Sequence, residues 1–245
     1  MISLFRKIRK KLAEEKKFKQ YLRYAIGEII LVVVGILIAL QINTWNQDRI
    51  SNNEEKAILK NIYTEFSKNK LEIDESVISL SECIKTNKVL MSLFGINYEE
   101  LKKEQTDSLI FYSFEQRRFT PSENAIQDLI QSGKMRSLNN ENLKYLIYEW
   151  SSRKDAMIES YNDMDDKINN SIVPFLADKY PLKDIDIYSN IGWGKRSTLN
   201  HDKLTIFHNL EYESLVDDFL YHLLEYETDL INLQQTIDKI IIETK

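Results

Sequence analysis

The longest apolar stretch of the chain runs from Tyr24 to Ile42, YAIGEIILVVVGILIALQI, and only Glu28 and Gln41 interrupt it. About 19 residues in a helix rise roughly 28 Å, which matches a hydrocarbon core of about 30 Å. The Ile, Leu and Val side chains contribute on the order of −4 to −7 kcal/mol to insertion. One acidic residue costs roughly 3 kcal/mol, and less near the end where Glu28 lies. Residues 24–43 are therefore expected to cross a membrane. A cleaved signal peptide fits less well, because its basic region would be very long and Ala39-Leu40-Gln41 is a poor cleavage site.

After this stretch the pattern becomes periodic. From Asn52 to Phe94, Leu59, Ile62, Phe66, Ile73, Val77, Leu80, Ile84, Met91 and Phe94 step by threes, fours and their sums, which predicts one long helix. Asn69, Ser76 and Asn87 soften its seam. A cleaner repeat, Val216, Phe219, Leu223, Tyr226, Leu230, Leu233, Ile237 and Ile240, predicts a last helix from about Glu211 to Thr244. The economical arrangement pairs the two antiparallel and brings the C-terminus back toward the membrane. This stripe reads as bundle core in preference to an interchain coiled coil.

Shorter helices are expected at Glu99–Phe114, at Pro121–Ser132 with Gly133 just past its end, and from Asn140 to about Asn170. The last of these would turn Leu143, Ile147, Trp150, Met157, Tyr161 and Met164 inward. Pro174 and Pro181 are expected to break the chain, making 174–209 loop-rich, and Tyr180–Asn209 mixes β and turn residues. A long irregular segment is a place to look for binding, and Trp193, Lys195 and Arg196 are its candidate recognition residues. Trp193, between two glycines, reads more economically as a filler of the core beneath its loop.

Composition supports helix throughout, since six Gly and three Pro leave few turn residues for an all-β fold. The expected fold class is all-α: an N-terminal transmembrane helix, then an extracytoplasmic helical bundle with long antiparallel first and last helices. The net charge of −5 conceals an asymmetry: residues 1–23 hold nine Lys/Arg against Glu14 and Glu15, so the tail carries +7 and the remainder −12. An acidic body argues against nucleic acid as a partner and a basic tail beside an apolar run argues for the lipid bilayer. Arg6, Lys7, Arg9, Lys10 and Lys11 are the candidate membrane-surface residues, on a tail whose Leu4, Phe5, Ile8 and Leu12 give it an amphipathic pattern.

The positive-inside rule then orders the chain: 1–23 a basic cytoplasmic tail, 24–43 the membrane helix, 44–245 a periplasmic helical domain. Tyr21 and Tyr24 on one side and Trp45 on the other are spaced like interfacial belts. Glu28, Gly35 and Ala39 share one face of the membrane helix, within roughly 20° at about 100° per residue. A small-xxx-small pair with an ionisable neighbour suits helix association, with a second copy or another envelope protein. Equally, Glu28 could snorkel toward the boundary beside Arg23.

The stretch from Lys19-Gln20-Tyr21-Leu22-Arg23-Tyr24-Ala25-Ile26-Gly27-Glu28 through Gly35-Ile36-Leu37-Ile38-Ala39-Leu40-Gln41-Ile42-Asn43 to Trp45-Asn46 resembles the start of an uncharacterised family. The family is a set of small single-pass membrane proteins common in Bacteroidota, domain of unknown function 6090. The likeness extends over residues 2–48 and includes Leu4-Phe5-Arg6-Lys7-Ile8-Arg9. A looser likeness covers Phe119-Thr120-Pro121-Ser122 and the Leu129-x-x-Ser132-Gly133 segment, with Ile130 where a polar residue is more usual. The resemblance implies an inner-membrane anchor and a periplasmic helical domain, and it brings no activity, ligand or catalytic residue.

Candidate chemistry is sparse. His201, His208 and His222 lack a metal-ligand spacing, and His222 beside Asp218 and Glu225 reads as a solvated helix face. No phosphate loop, HExxH, GxSxG or CxxC occurs, and lone Cys83 sits on an apolar face, where packing is expected over reaction. Arg117-Arg118 reads as a surface cation pair. No cofactor and no enzymatic activity are expected. The leading expectation is a membrane-anchored interaction or structural module, and the alternative is a periplasmic ligand-sensing domain acting through a separate partner.

Overall fold

No glycine or proline lies between Gly35 and Gly95, so nothing in the sequence obliges a helix to stop there. The computed structural model, which describes residues 7, 10 and 18–245, accordingly has one helix, α1 (Phe18–Met91), where the hydrophobic pattern suggests two elements. The others are α2 (Tyr98–Leu101), α3 (Thr106–Tyr112), α4 (Asn124–Gln131), α5 (Glu141–Lys167), α6 (Val173–Lys179), α7 (Leu182–Ile185) and α8 (Leu210–Glu243). Among the described residues there is no strand. The chain divides into two units, Met1–Ala57 and Ile58–Lys245, each described separately below.

In the second unit α8 is the central helix. Phe94 meets Tyr212 with ring centroids 5.4 Å apart, Gln234 donates to Asp74 at 2.6 Å, and Lys70 pairs with Asp238 at 3.2 Å. Numbers rise along α1 as they fall along α8, so the pair is antiparallel, as expected. The α5 helix runs the same way against α8, with Lys167 on Asp218 at 2.6 Å, Tyr161 on Tyr226 at 5.4 Å, and Asn140 and Asn142 donating to Glu243. Phe66 and Trp150, edge to face at 4.8 Å, close the triangle between α1 and α5. All eight positions of the α8 repeat are buried, Val216 through Ile240. Along α5 Leu143, Ile147, Trp150, Met157 and Met164 are buried, with Tyr161 partly so.

The α1 seam differs from the apolar pattern. Its buried line is Ile62, Phe66, Asn69, Ile73, Ser76, Leu80, Cys83, Asn87 and Leu90, alternating by four and three, with Ile84 buried beside it as expected, while Leu59, Val77, Met91 and Phe94 only flank it. Three polar residues thus lie inside the seam because neighbouring backbone needs partners. Asn69 donates to Ser122 O at 2.7 Å and accepts from Ser122 N at 2.9 Å. Asn87 donates to Ser113 O at 2.7 Å and to Cys83 O at 2.9 Å. The Cys83 thiol also donates to Ser113 O, at 3.0 Å. Burial pushes that thiol up to about 12, so at neutral pH it is an inert packing group.

Segment 119–125 is fastened by a carboxylate from another helix. Glu123, at the start of α4, makes no side-chain cap; instead Glu65 of α1 accepts from Asn124 N at 2.7 Å, Ala125 N at 2.8 Å and the Ser122 hydroxyl. A negative group on free N–H donors at a helix start is favourable both as hydrogen bonds and against the helix dipole. Glu65→Ala is expected to cost about 1–2 kcal/mol, with Glu65→Gln losing about half as much. Urea unfolding of the pair measures this, and equal midpoints for wild type and Glu65→Ala would refute it.

Elsewhere the expected boundaries shift for identifiable reasons. The Glu99–Phe114 helix is split, since Asn97 caps α2 and a turn at 102–105 lets both Leu101 and Ile110 reach the core. Pro174 does not break the chain. A π-turn at Ile168–Ile172 leads α5 into α6 and puts Pro174 in the first turn of α6, where its missing N–H is harmless and the wider turn relieves its ring. Pro181 does break it, preceding α7. Gly133 takes φ +68° after α4, and Gly95, at φ +74° after α1, donates its N–H to Phe207 O at 3.0 Å.

Candidate functional site

The segment that follows Tyr180 is not a β-and-turn mixture. It holds α7, 3₁₀ turns at Asp186–Tyr188 and Lys203–His208, and an irregular stretch between them. What fastens it is a buried acid at the start of α3. Thr106 and Asp107 are both buried there, a position where the helix dipole favours a carboxylate. Tyr180 donates to Asp107 Oδ1 at 2.6 Å, Lys203 donates to the same oxygen, and Arg196 Nε donates to Oδ2 at 3.0 Å. Lys203 also reaches Asp184 Oδ2 at 3.1 Å, whose other oxygen accepts from Ser197 N at 2.6 Å. Two carboxylates and two cations balance, and each acid has its hydrogen bonds, which is the condition for burying charge.

Burial by itself would raise the Asp107 carboxyl, but hydrogen bonds from Lys203 and Tyr180, with the Lys203 charge, outweigh it and hold the group below its ordinary value. The Tyr180 phenol is raised, first by burial and then by Asp107, so it stays a donor. Beside this cluster a cleft of about 450 Å³ opens between the α2–α3 turn and the 186–204 segment. Its walls include Leu101, Lys102, Tyr188, Arg196, Lys203 and Leu204. A second cleft of about 470 Å³ runs along the start of the unit, lined by Ile58, Asn61, Leu129, Ser132 and Lys134. The Leu129-x-x-Ser132-Gly133 segment therefore forms part of a groove wall.

Of the three loop residues read from the sequence, Arg196 belongs to the ion cluster and Lys195 is exposed. Trp193 is 47% exposed, with Lys183 Nζ 5.6 Å from its ring, so it does not fill the core. The segment's buried apolar side chains include Ile185, Ile206 and Phe207 instead. Asp107, Tyr180, Asp184 and Lys203 were missed, because no spacing links positions that only the loop's path brings together. An acid in a first helical turn was the sole available signal.

His222 also departs from expectation. Its side chain is only 17% exposed, with Glu225 at 3.3 Å and Asp218 at 3.9 Å, and Asp218 also pairs with Lys167 of α5. Arg117 pairs with Glu75 and Arg118 lies 4.6 Å from the Tyr161 ring centroid, so the two cations serve different contacts. Among the described residues, no three His, Cys, Asp or Glu side chains converge on a metal position.

In the first unit the apolar side chains of α1 face outward: Ile29 is 63%, Leu31 68% and Ile42 60% exposed. An 18-residue window there has mean hydropathy 2.6 and none of it is buried, so the helix is long and apolar enough to cross a membrane. Glu28 is partly exposed, Gly35 and Ala39 are exposed, and a Cβ added at Gly35 would meet nothing within 4 Å. Trp45 is exposed, with the Arg49 guanidinium 5.6 Å from its ring. Lys7 and Lys10 are exposed, whereas Arg6, Arg9 and Lys11 lie outside the described residues.

These features define a helical-bundle protein with an N-terminal helix fit to span a bilayer. The model of a family of unknown function, DUF6090, matches residues 28–180, more than half of the chain, and the chain belongs to that family. The match begins inside the apolar helix at Glu28 and ends at Tyr180. It takes in Glu65, Asn69, Asp107 and Ser122, and stops short of Asp184, Arg196 and Lys203. No curated protein and no solved structure matches the chain.

Proposed function

We propose that the protein is a single-pass inner-membrane module that holds a self-contained helical bundle in the periplasm and there engages another envelope component or a second copy of itself. The observation that carries this reading is the outward-facing apolar surface between Ile29 and Ile42, which water penalises at about 25 cal/mol per Å² and lipid does not. The nine cations of the tail, against an acidic remainder, support a cytoplasmic N-terminus. Gly35 and Ala39 lie exposed on the same face of the helix as the partly exposed Glu28, and such a small-residue face supports close helix contact.

The test is fractionation of cells making the full chain, followed by protease treatment of spheroplasts. The expected result is retention in the membrane pellet through an alkaline carbonate wash, with the bundle digested from outside. A chain recovered in the wash, or a bundle cut only after lysis, would reverse the reading. A ligand-sensing domain that acts through a separate partner is the second reading, favoured by the cleft beside Asp107.

A further inference from the structure

We infer that the cleft between the α2–α3 turn and the 186–204 segment is a binding site for a small organic carboxylate with a short apolar body. The inference deepens the ligand-sensing reading and rests on it for its purpose. Its basis is an excess of donors. Asp107 is almost fully buried and accepts three hydrogen bonds, all from the segment between Tyr180 and Lys203. Lys203 is spent on Asp107 and Asp184. Arg196 is not spent: only its Nε is bonded to Asp107, its side chain is 55% exposed, and its two terminal nitrogens carry no hydrogen bond to any described residue. A guanidinium held by its Nε presents the remaining N–H groups as a planar fork, whose geometry matches a carboxylate bidentately.

The surrounding wall favours an anion over a cation. Asp107 already faces two cations and accepts three hydrogen bonds, whereas Arg196 in the same wall keeps terminal N–H groups with no acceptor among the described residues. Lys102, half-exposed and held only by Glu99 and the Tyr98 ring, can swing its ammonium toward the opening. Leu101, Leu204 and the Tyr188 ring supply the apolar surface on which a ligand's body would rest, and about 450 Å³ is within the ordinary size of small-molecule sites. The buried acid thus serves as the fixed post that aims Arg196.

The experiment is calorimetric titration of full-length protein in detergent micelles with valerate, benzoate, inorganic phosphate and, at matched ionic strength, chloride. Saturable binding of valerate or benzoate is expected, weakened about tenfold or more by Arg196→Gln, which loses a charge-assisted pair, and severalfold by Lys102→Gln. Lys239→Gln, on the exposed face of α8, should bind like wild type. Lys102→Gln guards against misfolding, since that side chain makes no core contact. Binding by neither carboxylate, or binding unchanged in both Arg196→Gln and Lys102→Gln, overturns the inference. Binding of phosphate alone also overturns it while leaving sensing of another ligand class standing. Conversely, carboxylate binding that leaves capture of envelope partners unaltered sustains the inference and removes the sensing reading.

Discussion

Trp150→Ala is expected to destabilise the bundle by about 3–5 kcal/mol, the cost of emptying a large aromatic site that its surroundings cannot refill. The indole is 1% exposed and stands edge to face with Phe66 at 4.8 Å, so it joins α5 to α1 at the level where Leu143, Ile147 and Ile62 are also fully packed. Around it α8 packs against both helices, with Asn140–Glu243 joining it to the start of α5 and Lys70–Asp238 joining it to α1. About 1 kcal/mol of the loss is the edge-to-face geometry itself. Trp150→Phe keeps a ring against Phe66 and should recover roughly half. Chemical denaturation of the three proteins checks this, and a Trp150→Ala midpoint within error of wild type would mean that α1 and α5 do not share a core.

How much of this was legible in the sequence depends on how local the cause is. The α8 repeat was readable position by position because a helix flanked by helices buries one narrow stripe, and apolar residues announce it. The α1 seam was half-readable. Asn69 and Asn87 look like defects in a hydrophobic register, yet they are buried because Ser122 and Ser113 lie opposite them, and nothing near Asn69 in the chain foretells Ser122. Likewise Glu65 caps a helix that begins 59 residues later.

The same division holds for function. The apolar run of α1 is a local property, and so was its fitness to cross a membrane. The Asp107 cluster is not local, since its members come from α3, Tyr180, α7, the irregular segment and the 3₁₀ turn at Lys203, and each alone is an ordinary surface-type residue. Trp193 drew attention for being aromatic between glycines, but the physically consequential loop residue is its neighbour Arg196, which a buried carboxylate holds in place. Conspicuous residue types mark candidates; buried partners decide among them.

Asp107→Ala is expected to cost about 3 kcal/mol, the low end of the cost of breaking a buried ion pair, because Arg196 and Lys203 both keep some contact with water. The damage should be confined to one region: amide exchange should quicken through 182–209, while α8 below Tyr212 keeps its protection. Lys203 remains on Asp184, so the segment loosens without detaching. The pH dependence carries a definite sign. The Asp107 carboxyl is held below its ordinary value of 3.8, so in the folded chain it ionises more readily than in the unfolded one. Its stabilisation is therefore complete above that value and is withdrawn as pH falls from 3.8 toward the folded pKa, where the carboxyl takes up a proton and Lys203 and Arg196 lose their counter-charge. Wild type should show loop protection falling below about pH 4, and Asp107→Ala should lack that component. Equal acid sensitivity of the 182–209 amides in both proteins would place the responsible carboxylate elsewhere.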